Sequence, residues 1–241
     1  MTTVFVHGVP DTVAVWTRLE AELAAAPSVA LALPGFGCAL PDGFTPTKDA
    51  YLGWLIRALE AVPPPRDVIA HDWGSILLLR ALELRPDLVR SWVGGGAPST
   101  ADYTWHTTAR LWQTPGAGEK AMERLQGALV IDMLGRAGLP ADAAAETASR
   151  IDETMKRAIL GLYRSSRDVF REWEPQVGAI TAPGLVLWGA DDPYAGPVFA
   201  RRIGEVTGAE VRVLACGHWW QVEQFRAAAA AIRSFHAAAG L

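Results

Sequence analysis

Short apolar runs rich in Val, Ile and Leu recur along the chain at Thr3–Val6, Val29–Leu33, Val68–Ala70, Ser91–Val93, Gly184–Trp188 and Val211–Leu214. Their apolar residues follow one another without alternation, the pattern of strands covered on both faces and therefore of a parallel sheet. Between them, Trp16–Ala25, Asp49–Ala61, Ile76–Leu84 and Pro197–Val206 carry helical spacing, and a last helical pattern runs from Gln224 through the Ala-rich C-terminal segment. Strands alternating with helices predict a mostly parallel, doubly wound α/β sheet.

One region breaks the rhythm. From Pro98 to Pro175 no strand pattern occurs, while Glu119–Leu134 and Asp142–Ser166 read as two amphipathic helices separated by Gly135–Ala141. The pattern thus divides the chain into an α/β core of residues 1–97 and 176–241 and an all-helical insertion of residues 98–175. The insertion is either a plain excursion or a lid. The lid is the expectation, because ligands of open α/β sheets bind beyond the carboxyl ends of the strands.

Composition narrows the class. The chain has 241 residues, 50% hydrophobic and 20% charged, with a formal net charge of −4. That suits an ordinary globular protein, and the absence of a basic stripe argues against nucleic acid as a partner. Cys38 and Cys216 lie far apart with no CxxC spacing, so neither a disulfide framework nor a zinc site is implied, and a reducing cytoplasmic location is expected. The opening MTTVFVHGVP lacks a basic n-region and a long apolar core, and no stretch reaches the roughly 18 apolar residues that span a bilayer.

The chemistry concentrates where an apolar strand pattern meets an apolar helix pattern, at Ala70-His71-Asp72-Trp73-Gly74-Ser75. An unpartnered carboxylate is among the costliest groups to place there. The commonest role for an Asp ahead of a helix is an N-cap. The alternative is an elbow: small residues on either side let the strand turn sharply into the helix and push the central side chain into a cleft, with Asp72 as the nucleophile. The serine form of that elbow, Gly-x-Ser-x-Gly, occurs nowhere in the chain.

In these residues the sequence resembles the α/β-hydrolase superfamily, and within it the branch of epoxide hydrolases and haloalkane dehalogenases, whose elbow nucleophile is an aspartate. The resemblance runs along almost the whole chain in ordered motifs. VFVHGVP at Val4–Pro10 is similar to the HGxP loop, ALPGFG at Ala32–Gly37 to the PGxG loop, LVLWGADDPY at Leu185–Tyr194 to the segment with the acid, and CGHWWQVEQ at Cys216–Gln224 to the loop with the base. It implies an α/β-hydrolase fold with Asp72 as nucleophile, His218 as general base and Asp192 as its carboxylate partner. Asp192 is preferred to Asp191 on the Gly-x-x-Asp pattern counted from Gly189. Backbone N–H groups of Val9 and Trp73 are the implied oxyanion donors. His7 and His71 receive no proton-transfer role. No metal and no organic cofactor are implied.

An aspartate suits attack on saturated carbon, since it leaves an ester with a carbonyl that water can attack, whereas a serine would leave an inert ether. Tyr163, in LYRSS, resembles a lid tyrosine that clamps an epoxide oxygen. The position of the family's other lid tyrosine, counted back from Gln113, holds Thr108 instead, leaving Tyr103 or His106 as substitutes. On the halide side, Trp73 is compatible as one donor, Trp105, Trp112 and Trp219 are candidates for another, and Val9 stands where haloalkane enzymes often carry Asn. The expected substrate is a small, largely apolar epoxide. The alternatives are carbon–halogen hydrolysis and a catalytically weak small-molecule binder or biosynthetic helper on the same fold. The residues leave substrate identity and subunit count open.

Overall fold

A computed structural model describes residues 1–24 and 27–241. Among these, six strands form one sheet: β1 (Thr2–Val6), β2 (Ser28–Leu31), β3 (Arg66–Ala70), β4 (Ser91–Gly94), β5 (Gly184–Gly189) and β6 (Glu210–Leu214). Their order is β2-β1-β3-β4-β5-β6 and every pairing is parallel, as the unalternating apolar runs predict. β1, β3, β4 and β5 are buried almost throughout, while the edge strand β6 is partly exposed.

The helices of the core are α1 (Thr17–Leu23), α2 (Lys48–Ala61) and α3 (Trp73–Leu84), followed after the insertion by α10 (Val198–Thr207), α11 (Trp220–Glu223) and α12 (Phe225–Ala238). The step from β1 to β2 runs in the opposite direction along the sheet from those that follow. With right-handed crossovers this places α1 on one face and α2, α3 and α10 on the other. α1 packs on α12, and α2 on α3. Winding reverses between β1 and β3, and the crevice beyond their carboxyl ends is the usual ligand position of such a sheet. Six side chains of the largest type, Trp16, Trp73, Trp92, Trp188, Trp219 and Trp220, lie under 2% exposed in the core.

Local chemistry shifts several boundaries. The segment expected as one helix over Trp16–Ala25 is a 3-10 turn, Val13–Trp16, followed by α1; Ala25 lies outside the described residues. α3 begins at Trp73, three residues ahead of the predicted Ile76, because the chain enters it directly from the elbow. Between β4 and β5 the described residues form α4 (Thr107–Gln113), α5 (Ala117–Arg124), α6 (Gly127–Arg136), α7 (Ala141–Arg150), α8 (Glu153–Ser165) and α9 (Val169–Glu172). Each of the two long helices expected here is therefore two. The first breaks at Leu125–Gln126, ahead of Gly127 with its φ of 56°. The second breaks at Asp152, whose side chain leaves the helix above it to cap α8, accepting the Met155 N–H at 2.7 Å.

Candidate active site

The chain turns from β3 into α3 through Asp72, whose backbone sits at φ 51° and ψ −124°. A non-glycine residue there stores about 1–3 kcal/mol of strain, sustained only where the surroundings enforce it. Two glycines do so. A Cβ on Gly74 would lie 2.4 Å from the Val6 carbonyl oxygen, and one on Gly8 would lie 2.3 Å from the Asp72 carboxylate itself. Asp72 occupies the N-cap position of α3 but its side chain accepts no cap hydrogen bond. Instead Oδ2 accepts the Val9 N–H at 2.8 Å. The carboxylate is thus turned away from the helix and toward the HGxP loop. Burial raises its pKa, opposed by the imidazole of His218 and by the amides of Val9 and Trp73.

The loop after β6 carries His218, whose Nδ1–H donates to Asp192 Oδ2 at 2.8 Å. Asp192, in the turn after β5, is held in place through Oδ1, which accepts the N–H groups of Tyr194 at 2.9 Å and Ala195 at 3.4 Å. This pairing leaves Nε2 of His218 as the nitrogen free to handle a proton. Burial works against charging His218, yet the Asp192 charge and hydrogen bond, with Asp72 and Asp11 beyond, lift it to about 9. The structure therefore brings Asp72, His218 and Asp192 together from three different loops.

A further carboxylate, which the sequence reading passed over, lies behind them. Asp11 is buried and accepts the Trp219 indole N–H at 3.0 and 3.1 Å. Its Oδ2 lies 3.9 Å from His71 Nδ1, while Nε2 of His71 donates to the His218 carbonyl oxygen at 2.9 Å. Burial, eased by the Trp219 bond, pushes Asp11 up to about 7. The signal was an acidic residue directly after the HGxP proline, in a loop too apolar to solvate it. His7 binds only backbone, donating to the Gly8 carbonyl oxygen at 2.8 Å and accepting the Leu33 N–H at 3.1 Å.

Asp72 and His218 line one cavity of about 40 Å³, part of whose wall comes from residues of the helical insertion. With one water needing about 10–15 Å³ on this measure, it holds only a few water-sized groups. Val9 and Trp73 lie on its wall together with Tyr163, Thr108, Tyr103 and His106, so every predicted site residue except Asp192 reaches it. Tyr194, Met133 and Phe170 line it too and were not predicted. The Tyr163 ring meets Trp73 edge-on at 5.5 Å and Trp112 at 4.9 Å. Burial and the nearby Asp72 charge keep its hydroxyl protonated well above the usual range.

The candidates for a second leaving-group donor separate here. The Tyr103 hydroxyl is committed to the Tyr194 carbonyl oxygen at 2.9 Å. His106 accepts the Ala109 N–H through Nδ1 at 3.3 Å, capping α4. Burial holds its pKa near 4, and a neutral ring whose Nδ1 accepts must carry its proton on Nε2. Among the tryptophans, the Trp219 N–H is taken by Asp11, and the Trp105 N–H by the carbonyls of Ser166 and Arg167 at 3.3 and 3.2 Å. Neither is free for a halide, a correction to the wider set of candidates. Thr108 faces the cavity, but with a shorter reach than the tyrosine it replaces.

Among the described residues no cluster of three or more His, Cys, Asp or Glu is arranged to hold a metal ion, and no helix is long and apolar enough to cross a membrane. Cys38 and Cys216 are both free thiols.

A parallel sheet with a strained elbow and a His–Asp pair beyond its strand ends defines an α/β hydrolase. A model of the alpha/beta hydrolase family matches residues 3–231, and the chain belongs to that family. Haloalkane dehalogenase DbeA from Bradyrhizobium elkani USDA94 is 25% identical with a TM-score of 0.76, covering 98% of this chain and 91% of that one. The Bacillus megaterium epoxide hydrolase in complex with an inhibitor is 21% identical with a TM-score of 0.72, over 97% of this chain and 92% of that one, which shows a shared fold. A 2-hydroxy-6-oxononadienedioate/2-hydroxy-6-oxononatrienedioate hydrolase of Dechloromonas aromatica (strain RCB) is 42% identical over 57 residues. That match spans 22% of this chain and 19% of the relative's length.

Proposed function

We propose that the protein hydrolyses an epoxide to a diol through an alkyl ester of Asp72, with residues 98–175 as a lid on a core of residues 1–97 and 176–241. The observation that carries this reading is the orientation of Asp72: its Oδ2 rests on the Val9 amide, its helix is left uncapped, and its cavity is shared with His218 and Tyr163.

Oδ1 attacks an epoxide carbon, and the C–O bond breaks with its electron pair on oxygen. The Tyr163 hydroxyl hydrogen-bonds that oxygen, which finally takes the proton of the His218 imidazolium. Esterification removes the Asp72 charge that helped to keep His218 protonated, so the imidazole, now neutral, is ready to act as a base. It takes a proton from water, and the hydroxide adds to the Asp72 carbonyl carbon. The resulting oxyanion sits where Oδ2 already rests on the Val9 amide, with the Trp73 amide as second donor, each worth roughly 3 kcal/mol to such a charge. Collapse expels the diol oxygen, which leaves with the proton of the new carboxyl group and restores the Asp72 carboxylate beside the imidazolium.

Carbon–halogen hydrolysis would use the same Asp72 and His218. It is less well served, because Val9 offers no side-chain donor and the N–H groups of Trp105 and Trp219 are engaged. A single turnover in heavy-oxygen water tests the ester: the first diol carries an ordinary oxygen from Asp72. A first diol bearing one heavy oxygen beside the epoxide's own would sink the ester route. Release of halide from haloalkanes with no diol from epoxides would select the other chemistry, and saturable binding with neither product would leave only a binder.

A further inference from the structure

Beside the inner cavity lies a wider hollow of about 470 Å³, open to solvent between α4, α5 and α6. The two spaces share a wall, since Thr108, Trp112 and Met133 line both. The hollow is otherwise mostly apolar, and two of its side chains, Leu111 and Leu129, stand 43% and 66% exposed. Its only two charged lining residues are both cations, Lys120 and Arg124. Four residues apart on α5, they stand on one face. The nearby Lys156 and Arg164 are paired with Glu153 and Glu119, whereas Lys120 and Arg124 form no ion pair among the described residues.

We propose that this hollow seats the far end of the substrate, an apolar chain ending in a carboxylate, while the epoxide reaches Asp72 past Met133. The inference rests on the reading of Asp72 as nucleophile. The inner cavity has room for a reacting group but not for a chain, so a longer substrate continues through a wall. The shared wall includes Met133, an unbranched and adaptable side chain. The cavity abuts another hollow through Tyr103, Trp105 and Phe170, but that wall includes Trp105, pinned to two carbonyl oxygens, and the space beyond it is of mixed charge, with Asp102 and Asp168 beside Arg110, Arg167 and Arg171. An anionic amphiphile fits the first hollow by both surface and charge.

The test compares terminally epoxidised dodecanoate, its methyl ester and epoxybutane on wild-type protein and on the double variant Lys120→Glu/Arg124→Glu. The expected result is a KM for the carboxylate raised about tenfold, the order of magnitude of losing two surface ion pairs. KM for the ester and for epoxybutane should stay within about twofold, by the small effects of surface changes elsewhere. An equal rise for ester and carboxylate, or no rise, overturns the proposal. Calorimetry with dodecanoate itself separates this inference from the catalytic one: binding that weakens about tenfold in the double variant upholds the hollow even if no epoxide is opened. Dodecanoate that fails to bind, or binds both proteins alike, overturns it. So does a dimer in solution that Leu129→Glu dissociates, which would give the hollow to a second copy of the chain.

Discussion

The Val9 amide and the Asp72 carboxylate meet at 2.8 Å although 63 residues separate them in the chain. Their contact joins the loop after β1 to the elbow after β3, across the point where the sheet reverses its winding. In the proposed mechanism it also divides labour within one carboxylate, since the oxygen that rests on the amide would become the oxyanion and the other would attack.

Asp72→Asn should abolish turnover, and His218→Gln should slow it by about a hundredfold or more, the usual contribution of a positioned general base. The two variants differ in what accumulates. With epoxide present, intact-protein mass spectrometry should show His218→Gln heavier by one substrate and Asp72→Asn unchanged. A mass gain in both, or in neither, contradicts the assigned roles.

Tyr163→Phe removes the hydroxyl that, in the proposed mechanism, would steady the opening oxygen, but leaves the ring packing on Trp73 and Trp112. Pre-steady-state kinetics should find alkylation slowed about tenfold or more and ester hydrolysis changed much less, the range for loss of one transition-state donor. Equal slowing of both steps would remove Tyr163 from the clamp.

Gly8→Ala places a methyl group 2.3 Å from Asp72 Oδ2. The backbone amide cannot then keep its bond to the carboxylate, so kcat should fall by about a hundredfold, as when an oxyanion donor is lost. Circular dichroism should still show the native fold. Undiminished kcat would mean that the Val9 amide does not act in catalysis.

His218, lifted to about 9 by Asp192 and Asp72 against the pull of burial, should be charged in the resting protein and lose its proton more readily once Asp72 is esterified. Alkylation should therefore slow as pH rises through about 9, while ester hydrolysis speeds up with pH at a lower midpoint. Stopped-flow tryptophan fluorescence resolves the two phases. Parallel profiles would show that the two states hold His218 alike.

Acid should destabilise the fold before most carboxylates titrate. Burial lowers His7 and His106 to about 4 and His71 well below its ordinary value of 6.5, so the unfolded chain binds these protons first. The stability they contribute is fully present above 6.5 and is lost as pH falls toward about 4. Thermal melts should give a lower Tm at pH 5 than at pH 7, about the ordinary limits of that window. An equal or higher Tm at the acid end would contradict the neutral burial of these rings.

The sequence by itself determined the layered sheet, because continuous apolar runs can be satisfied only by burial on both faces. It also determined the triad candidates, because the elbow, the acid turn and the histidine loop are short segments whose chemistry is local. It could not divide the helices of the insertion, where the break at Gly127 and the cap at Asp152 lie inside patterns that are periodic on either side. Nor could it tell an aspartate that caps its helix from one turned away from it. That was decided by a hydrogen bond from Val9, a partner from another loop. The donors Trp105, Trp219 and Tyr103 were likewise settled only by tertiary structure, since an N–H or O–H is free or spent according to carbonyls and carboxylates that folding brings from far along the chain.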